Sequence, residues 1–422
     1  MKVLYFIKPF VIHLLLFLVS MRAVAAPSYD IDYLLDFSKN TGEVLVTIRL
    51  ASPEYLKTID FNLKGSQCQH FEGEVTHNEI SQRLLWTPSK KDSKVSYRCT
   101  IAHKRKTRSG DIAYDAWSDA SFAIFRGDDL IPPAKVVSQK RAESRARVAF
   151  KLPKSWPHVN TGWRKAEPDR TLSGFNATFE VENPNRKFDR PTGWMIVGDL
   201  GTRREILGNK QQTQVAVSAP KSTSYSRMDA LVLVTVLWPQ FELAFVDLPP
   251  KILVVSGDDP LWRGGLSAGN SLFLHAQRPL VSENATSTLL HELVHVVTRL
   301  RAKNKNDWIV EGIAEYYASA LLFRAGAITA ERYQKVLNDQ QKRSGKTGDF
   351  RKNPSKFVVK AAAANFFYEL NMSIRKHTAS KSSLDAVVQR LMKKRKITTE
   401  DLQQAVAEVS PESLSLFERF QN

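Results

Sequence analysis

Two cysteines in 422 residues cannot hold a chain of this size together, so the disulfide-dense class of small secreted domains is excluded. Acidic residues are scarce as well, 43 against 61 Lys+Arg, for a formal net charge of +18. Long apolar runs are nearly absent. Phe10 to Val19 is the longest near the start, interrupted by His13 and closed off by Arg22. A membrane-spanning helix needs about 20 apolar residues, so this run is too short to cross a bilayer. No repeat at a fixed period and no low-complexity tract occurs. What remains, 43% hydrophobic and 25% charged, is ordinary globular usage, which excludes disordered and collagen-like chains. At about 100 to 200 residues per domain, two or three domains are expected.

The first 25 residues read as a secretory signal peptide: Lys2 and Lys8 form a basic start, the short apolar run follows, and Ala23-Val24-Ala25 has the small-x-small cleavage pattern. A cut after Ala25 is favoured over one after Ala26, which would leave Pro27 directly behind it. The expected mature chain is soluble and periplasmic or secreted, with no transmembrane segment after signal cleavage. In an oxidising compartment Cys68 and Cys99 are expected to pair, closing a loop worth roughly 3 to 4 kcal/mol in the chain-entropy model. Two unpaired buried cysteines are the alternative.

Residues 26–220 read as a β-rich region. Glu43 to Leu50, Lys94 to Ile101, Phe122 to Phe125 and Ala146 to Leu152 alternate apolar and polar residues between Gly-containing turns, which predicts an antiparallel β-sandwich. Over 221–422 the texture changes. Leu231 to Trp238, Lys251 to Val255 and Ser271 to His275 read as strands, and from Ala285 the apolar spacing becomes helical. Helices are expected over Ser287–Leu300, Trp308–Arg324, Ala330–Lys342, Lys356–His377, Ser383–Lys393 and Thr399–Val409. The fold class is α+β: a sandwich-like N-terminal region, then a small sheet with a helical bundle.

His291-Glu292-Leu293-Val294-His295 falls inside the first of these helical windows. Residues four apart stack on one helix face, so His291 and His295 can present their rings to one ion while Glu292 projects beside it. Two protein ligands leave zinc (Zn2+) open. A third is expected from the next helix, where Trp308-Ile309-Val310-Glu311-Gly312-Ile313-Ala314-Glu315 places Glu311 to complete a His, His, Glu set, the ligand type of a catalytic zinc. Glu315, one turn on, would accept the outer ring N–H of a histidine. The reverse assignment, Glu315 as ligand and Glu311 as support, stays open. A degenerate fold that keeps its ligands only for structure has no use for a base at Glu292.

The pairing of these two motifs resembles the gluzincin metallopeptidases, in particular the glycyl aminopeptidase family and related thermolysin-like peptidases. Phe125-Arg126-Gly127-Asp128-Asp129-Leu130, Gly264-Gly265-Leu266 and Ile397-Thr398-Thr399-Glu400-Asp401-Leu402 extend the similarity over most of the chain. The resemblance implies a thermolysin-like catalytic domain, zinc held by His291, His295 and Glu311, Glu292 as general base, and a peptide or protein substrate. The sequence departs from the family at Ser267 and Ala268, where an acidic residue and a histidine are usual after Gly-Gly-Leu.

Other residues have blander readings. His275 reads as a plain edge residue, and Tyr316, Tyr317 and Tyr368 are candidate oxyanion donors that could equally be core. The basic runs Lys104-Arg105-Lys106, Lys140-Arg141 and Lys393-Lys394-Arg395-Lys396 are scattered, which predicts attraction to an anionic envelope surface and no nucleic-acid partner. The expected function is peptide hydrolysis in the cell envelope. A non-catalytic envelope binding or scaffold protein with a relic zinc site is the alternative. Ser271 to His275 is the expected exposed strand for an extended peptide.

Overall fold

The computed structural model describes residues 27–419, apart from 40–41, 90–92, 108–109, 111, 140–141, 183–187, 210, 345–356 and 395. The signal segment 1–25 and the Lys140-Arg141 pair lie outside the described residues.

The N-terminal region is built from three sheets. Ser28–Asp36 and Glu43–Leu50 sit at the centre of a six-stranded sheet, and their alternating burial shows one face turned to a core of Tyr29, Ile31, Tyr33, Val46, Ile48 and Phe150. Most pairings are antiparallel, as the alternation predicts, but Ser28–Asp36 pairs parallel with Glu143–Lys151. The first strand thus returns beside a segment more than 100 residues away, which no local pattern could signal. Cys68 and Cys99 are directly opposite each other on the adjacent strands Cys68–Gly73 and Lys94–Thr100 and form a disulfide.

A further five-stranded sheet packs against the helix Thr288–Thr298. Its spatial order is Leu200–Leu207, Thr213–Pro220, Lys251–Gly257, Ser271–His275 and Gly265–Ala268. It therefore begins at Leu200, ahead of the change in texture near residue 220. Ser271–His275 is an interior strand, contrary to expectation: it pairs parallel with Lys251–Gly257 and antiparallel with Gly265–Ala268, and all five of its residues are buried. The Leu272-Phe273-Leu274 run lacks alternation because both faces are covered. Gly265–Ala268, folded back by the Gly269-Asn270 turn, is the edge.

Leu231 to Trp238 is also corrected. It lies within the helix Arg227–Ala244, whose start is capped by Ser226 accepting the Asp229 N–H. Leu231, Val234, Leu237, Trp238 and Phe241 are buried at helical spacing, while Val232, Val236 and Leu243 are exposed. Apolar residues on both faces mask the 3.6-residue period, and β-branched content then suggests a strand. The remaining helices follow the sequence closely: Thr288–Thr298, Asp307–Arg324, Ala330–Ser344, Phe357–His377, Leu384–Met392 and Thr399–Val409. Among the described residues no helix is long and apolar enough to cross a membrane.

Phe122, Ile124, Trp194 and Ile196 of the N-terminal region pack with Leu253, Val255, Leu261 and Phe273 in a shared apolar cluster. Trp194 adds two polar ties, its N–H to Ser271 Oγ at 2.6 Å and its indole N–H to the Leu266 carbonyl at 2.7 Å. The edge strand is thereby fixed to both halves of the molecule.

Candidate metal centre

The helix Thr288–Thr298 begins where Ser287 Oγ accepts the Leu290 N–H. Leu289, Leu290, Leu293, Val294, Val296 and Val297 are buried around it, so apolar packing on most of its circumference fixes its rotation. That rotation turns His291 and His295 to one side, towards Glu311 on the helix Asp307–Arg324. The two helices can meet a third closely because Gly312 follows Glu311: a Cβ there would stand 2.6 Å from Ala363 Cβ and 2.8 Å from the Phe367 ring.

His291 Nε2 is 3.2 Å from His295 Nε2 and 3.4 Å from Glu311 Oε2, and His295 Nε2 is 3.6 Å from Glu311 Oε1. Ligands about 2.0 to 2.1 Å from a tetrahedral ion are separated from one another by about 3.3 Å. The three donors therefore have the mutual spacing of a shared divalent cation. Glu311 Oε2 is buried and forms an ion pair with Lys360 Nζ at 2.5 Å. A carboxylate beside two converging imidazoles fits an ion with nitrogen and oxygen ligands. Glu315 Oε2 lies 3.0 Å from His291 Nδ1. A carboxylate there accepts an Nδ1–H, leaving the Nε2 lone pair for the ion.

The electrostatics follow from burial and crowding. Burial opposes a charge on His291, yet its contacts with Glu311 and Glu315 prevail and push the imidazole up to about 10. Burial, reinforced by His291, pulls His295 down to about 4. Burial likewise resists ionisation of Glu311 and Glu315, but His291 holds both carboxyls below the usual range.

The centre opens into a cleft of about 650 Å³, within the range of ligand-binding pockets. Glu292, buried at 8% exposure, accepts the Ser267 N–H at Oε2 (2.8 Å). This bond ties the would-be base to the edge strand. Gly265 permits the close approach, since a Cβ there would stand 2.5 Å from Thr288 Cγ2 and 3.2 Å from Glu292 Cγ. Arg105 and Trp262, stacked at 3.9 Å, also line the cleft, as do Arg299 and Lys360.

The structure does not bring the candidate tyrosines to this wall. Tyr317 donates its hydroxyl to Asp385 at 2.7 Å in the core, Tyr316 is buried, and Tyr368 packs against the same core; none of the three lines the cleft. His275 is not an edge residue: it is fully buried, with Nε2 3.4 Å from Asp259 Oδ1 and 3.7 Å from Asp258 Oδ1. Sequence reasoning missed Lys360, which no local pattern marks. It also missed Arg299, although a spacing of four from His295 was a usable signal.

Residues 285–419, which include every residue of the candidate centre, match the model of the M61 glycyl aminopeptidase family. The fold is similar to that of an aminopeptidase N family protein from Idiomarina loihiensis, with a TM-score of 0.64 and 16% identity over 86% of this chain and 70% of the other. It is also similar to an M1 zinc metallopeptidase from Deinococcus radiodurans, with a TM-score of 0.60 and 15% identity over 94% of this chain and 92% of the other. No curated protein sequence matches the chain. The matched segment defines the class, a hydrolase that acts on peptide bonds, and the fold is similar to that of two-domain metallopeptidases.

Proposed function

We propose that the protein is a zinc-dependent peptidase of the cell envelope, with His291, His295 and Glu311 as ligands and Glu292 as general base. The observation that carries this is the convergence of two imidazole Nε2 atoms and the Glu311 carboxylate within 4.8 Å of one another, with Glu292 next in sequence on the same helix. Zinc bound there supplies a Lewis acid that lowers the pKa of water from 15.7 to about 7 and polarises the scissile carbonyl. Glu292 takes the proton of the attacking water and passes it to the leaving amine. The edge strand Gly265–Ala268 holds the substrate extended through main-chain hydrogen bonds, without regard to its sequence.

Glu292→Gln is expected to keep the metal and abolish turnover; a variant that cleaves peptides as fast as wild type rules out this mechanism. Full zinc occupancy in a wild-type protein that cleaves no peptide would favour a scaffold with a relic site. Ser267 and Ala268 offer no carboxylate for a free amino terminus, so N-terminally blocked peptides are expected to be cleaved at least as well as free ones. Strict dependence on a free α-amino group would instead make the enzyme an aminopeptidase. The envelope location is supported by the signal-like segment 1–25 and by the Cys68–Cys99 disulfide. Cell fractionation tests it, and recovery in the cytoplasm with an uncut N-terminus would refute it.

A further inference from the structure

The metal helix leaves the centre through Arg299. This residue is four positions after His295, hence on the same face and about 6 Å further along the axis. Its backbone is left-handed, with φ 51°, in the capping position where glycine is usual and where other side chains are strained. A backbone outlier of this kind is grounds for a functional hypothesis about the side chain that occupies it.

That side chain lines the cleft. One guanidinium nitrogen, Nη2, donates to Asn270 Oδ1 at 3.3 Å, at the turn that ends the edge strand, while Nε is buried without an acceptor. Burial draws its pKa down from the usual arginine value, opposed by the charge of Asp247. Arg301, exposed, lines the same cleft. Among the described residues neither makes an ion pair. The other cleft charges are committed: Arg105 to Asp115 at 2.8 Å, Glu182 to Arg164 at 3.1 Å, Lys360 to Glu311, and Glu292 to the Ser267 N–H.

We infer that the cleft selects peptides bearing a carboxylate, gripped by Arg299 with help from Arg301, with Arg299 about one helical turn beyond His295. The inference deepens the peptidase reading and rests on it. A guanidinium is a planar fork matched to a carboxylate, and a half-buried one without an anion gains most from pairing. Arg299 lies about 6 Å along the helix axis from His295, and its partner Asn270 is three positions from Ser267, which is bonded to Glu292, with the chain turning back at Gly269-Asn270. The carboxylate thus falls about two or three residues from the cleaved bond. It belongs either to the C-terminus of a short peptide or to an Asp or Glu side chain.

The test uses the zinc-loaded full-length mature protein and matched peptides that differ in a C-terminal acid or amide, or in Glu against Gln within three positions of the cleaved bond. Carboxylate peptides are expected to have a kcat/KM about tenfold higher, mostly through KM. Amidation abolishing the preference identifies the C-terminus, whereas Glu-to-Gln replacement abolishing it identifies a side chain. Arg299→Gln should bring the acid-to-neutral ratio towards one, and Arg299→Lys should keep part of it. Arg299→Asn, whose residue type tolerates the left-handed backbone, and the exposed Arg301→Gln guard against loss of folding. Equal kcat/KM for acid and neutral peptides in wild type, or a preference unchanged in Arg299→Gln, overturns the inference. If no peptide is cleaved, the hydrolytic reading fails separately. Fluorescence anisotropy with the same peptides on zinc-loaded Glu292→Gln protein then decides: tighter binding of the acids, lost on adding Arg299→Gln, upholds the inference, and equal binding overturns it.

Discussion

Glu315 Oε2 sits 3.0 Å from Nδ1 of His291, on the opposite ring nitrogen from the one that faces His295. The neighbouring acid Glu311 reaches Nε2 of both histidines instead. In the proposed zinc site two glutamates one helical turn apart would divide the work, one facing the ion position and one orienting the ring that serves it. Glu311→Ala is expected to lose stoichiometric zinc. Glu315→Ala should keep it with affinity lowered about 10 to 100-fold. Competition against a chelator of known affinity distinguishes the two, and wild-type zinc content in Glu311→Ala would move the ligand role elsewhere.

Metal uptake should release a proton. In the metal-free protein His291 is held up to about 10, so at neutral pH it carries a proton that a ligand nitrogen cannot keep. His295, pulled down to about 4, is already neutral. Apparent zinc affinity should therefore rise about tenfold per pH unit from pH 6.5 towards 9 and level off near the His291 pKa. Calorimetry in buffers of different ionisation enthalpy reads the proton count directly. Uptake without proton release over that range contradicts the charge assigned to His291.

Gly312→Ala sets helix propensity against packing. Alanine is favoured over glycine in a helix by about 1 kcal/mol. The added Cβ, however, would stand 2.6 Å from Ala363 Cβ and 2.8 Å from the Phe367 ring, and overpacking of this kind costs about 1 to 3 kcal/mol. A lower thermal midpoint is expected, with partial recovery on adding Ala363→Gly, which removes the closest contact. A midpoint at or above wild type would mean that the helix Phe357–His377 moves aside freely.

The Cys68–Cys99 bridge closes a loop with a sequence separation of 31. Replacing both cysteines by serine should cost the N-terminal region roughly 3 to 4 kcal/mol. Neither cysteine is near the centre, so zinc content should be unaffected at temperatures where the variant is folded. Loss of zinc in a folded double variant would reveal a coupling absent from this description.

The helical half and the heart of the site were written in local patterns. Apolar spacing placed the helix windows to within a few residues because an amphipathic helix must bury one stripe. The spacing of four between His291 and His295 places two rings on one face in any helix. That Glu311 and Glu315 divide their roles was foreseeable as a pair, but the choice between them rested on how two helices cross. The helix Arg227–Ala244 was misread because it is apolar on two faces, so its period is faint. Pairing between distant segments was decided by tertiary structure alone. The Gly269-Asn270 turn made Gly265–Ala268 the edge and buried Ser271–His275, while the bond of Tyr317 to Asp385 and the packing of Tyr316 and Tyr368 at the helical core kept the tyrosines from the cleft. Lys360, on the helix Phe357–His377, reached the cleft for the same reason. Short-range periodicity records which face of an element is buried, whereas what that face meets depends on contacts across the fold that no neighbouring residue encodes.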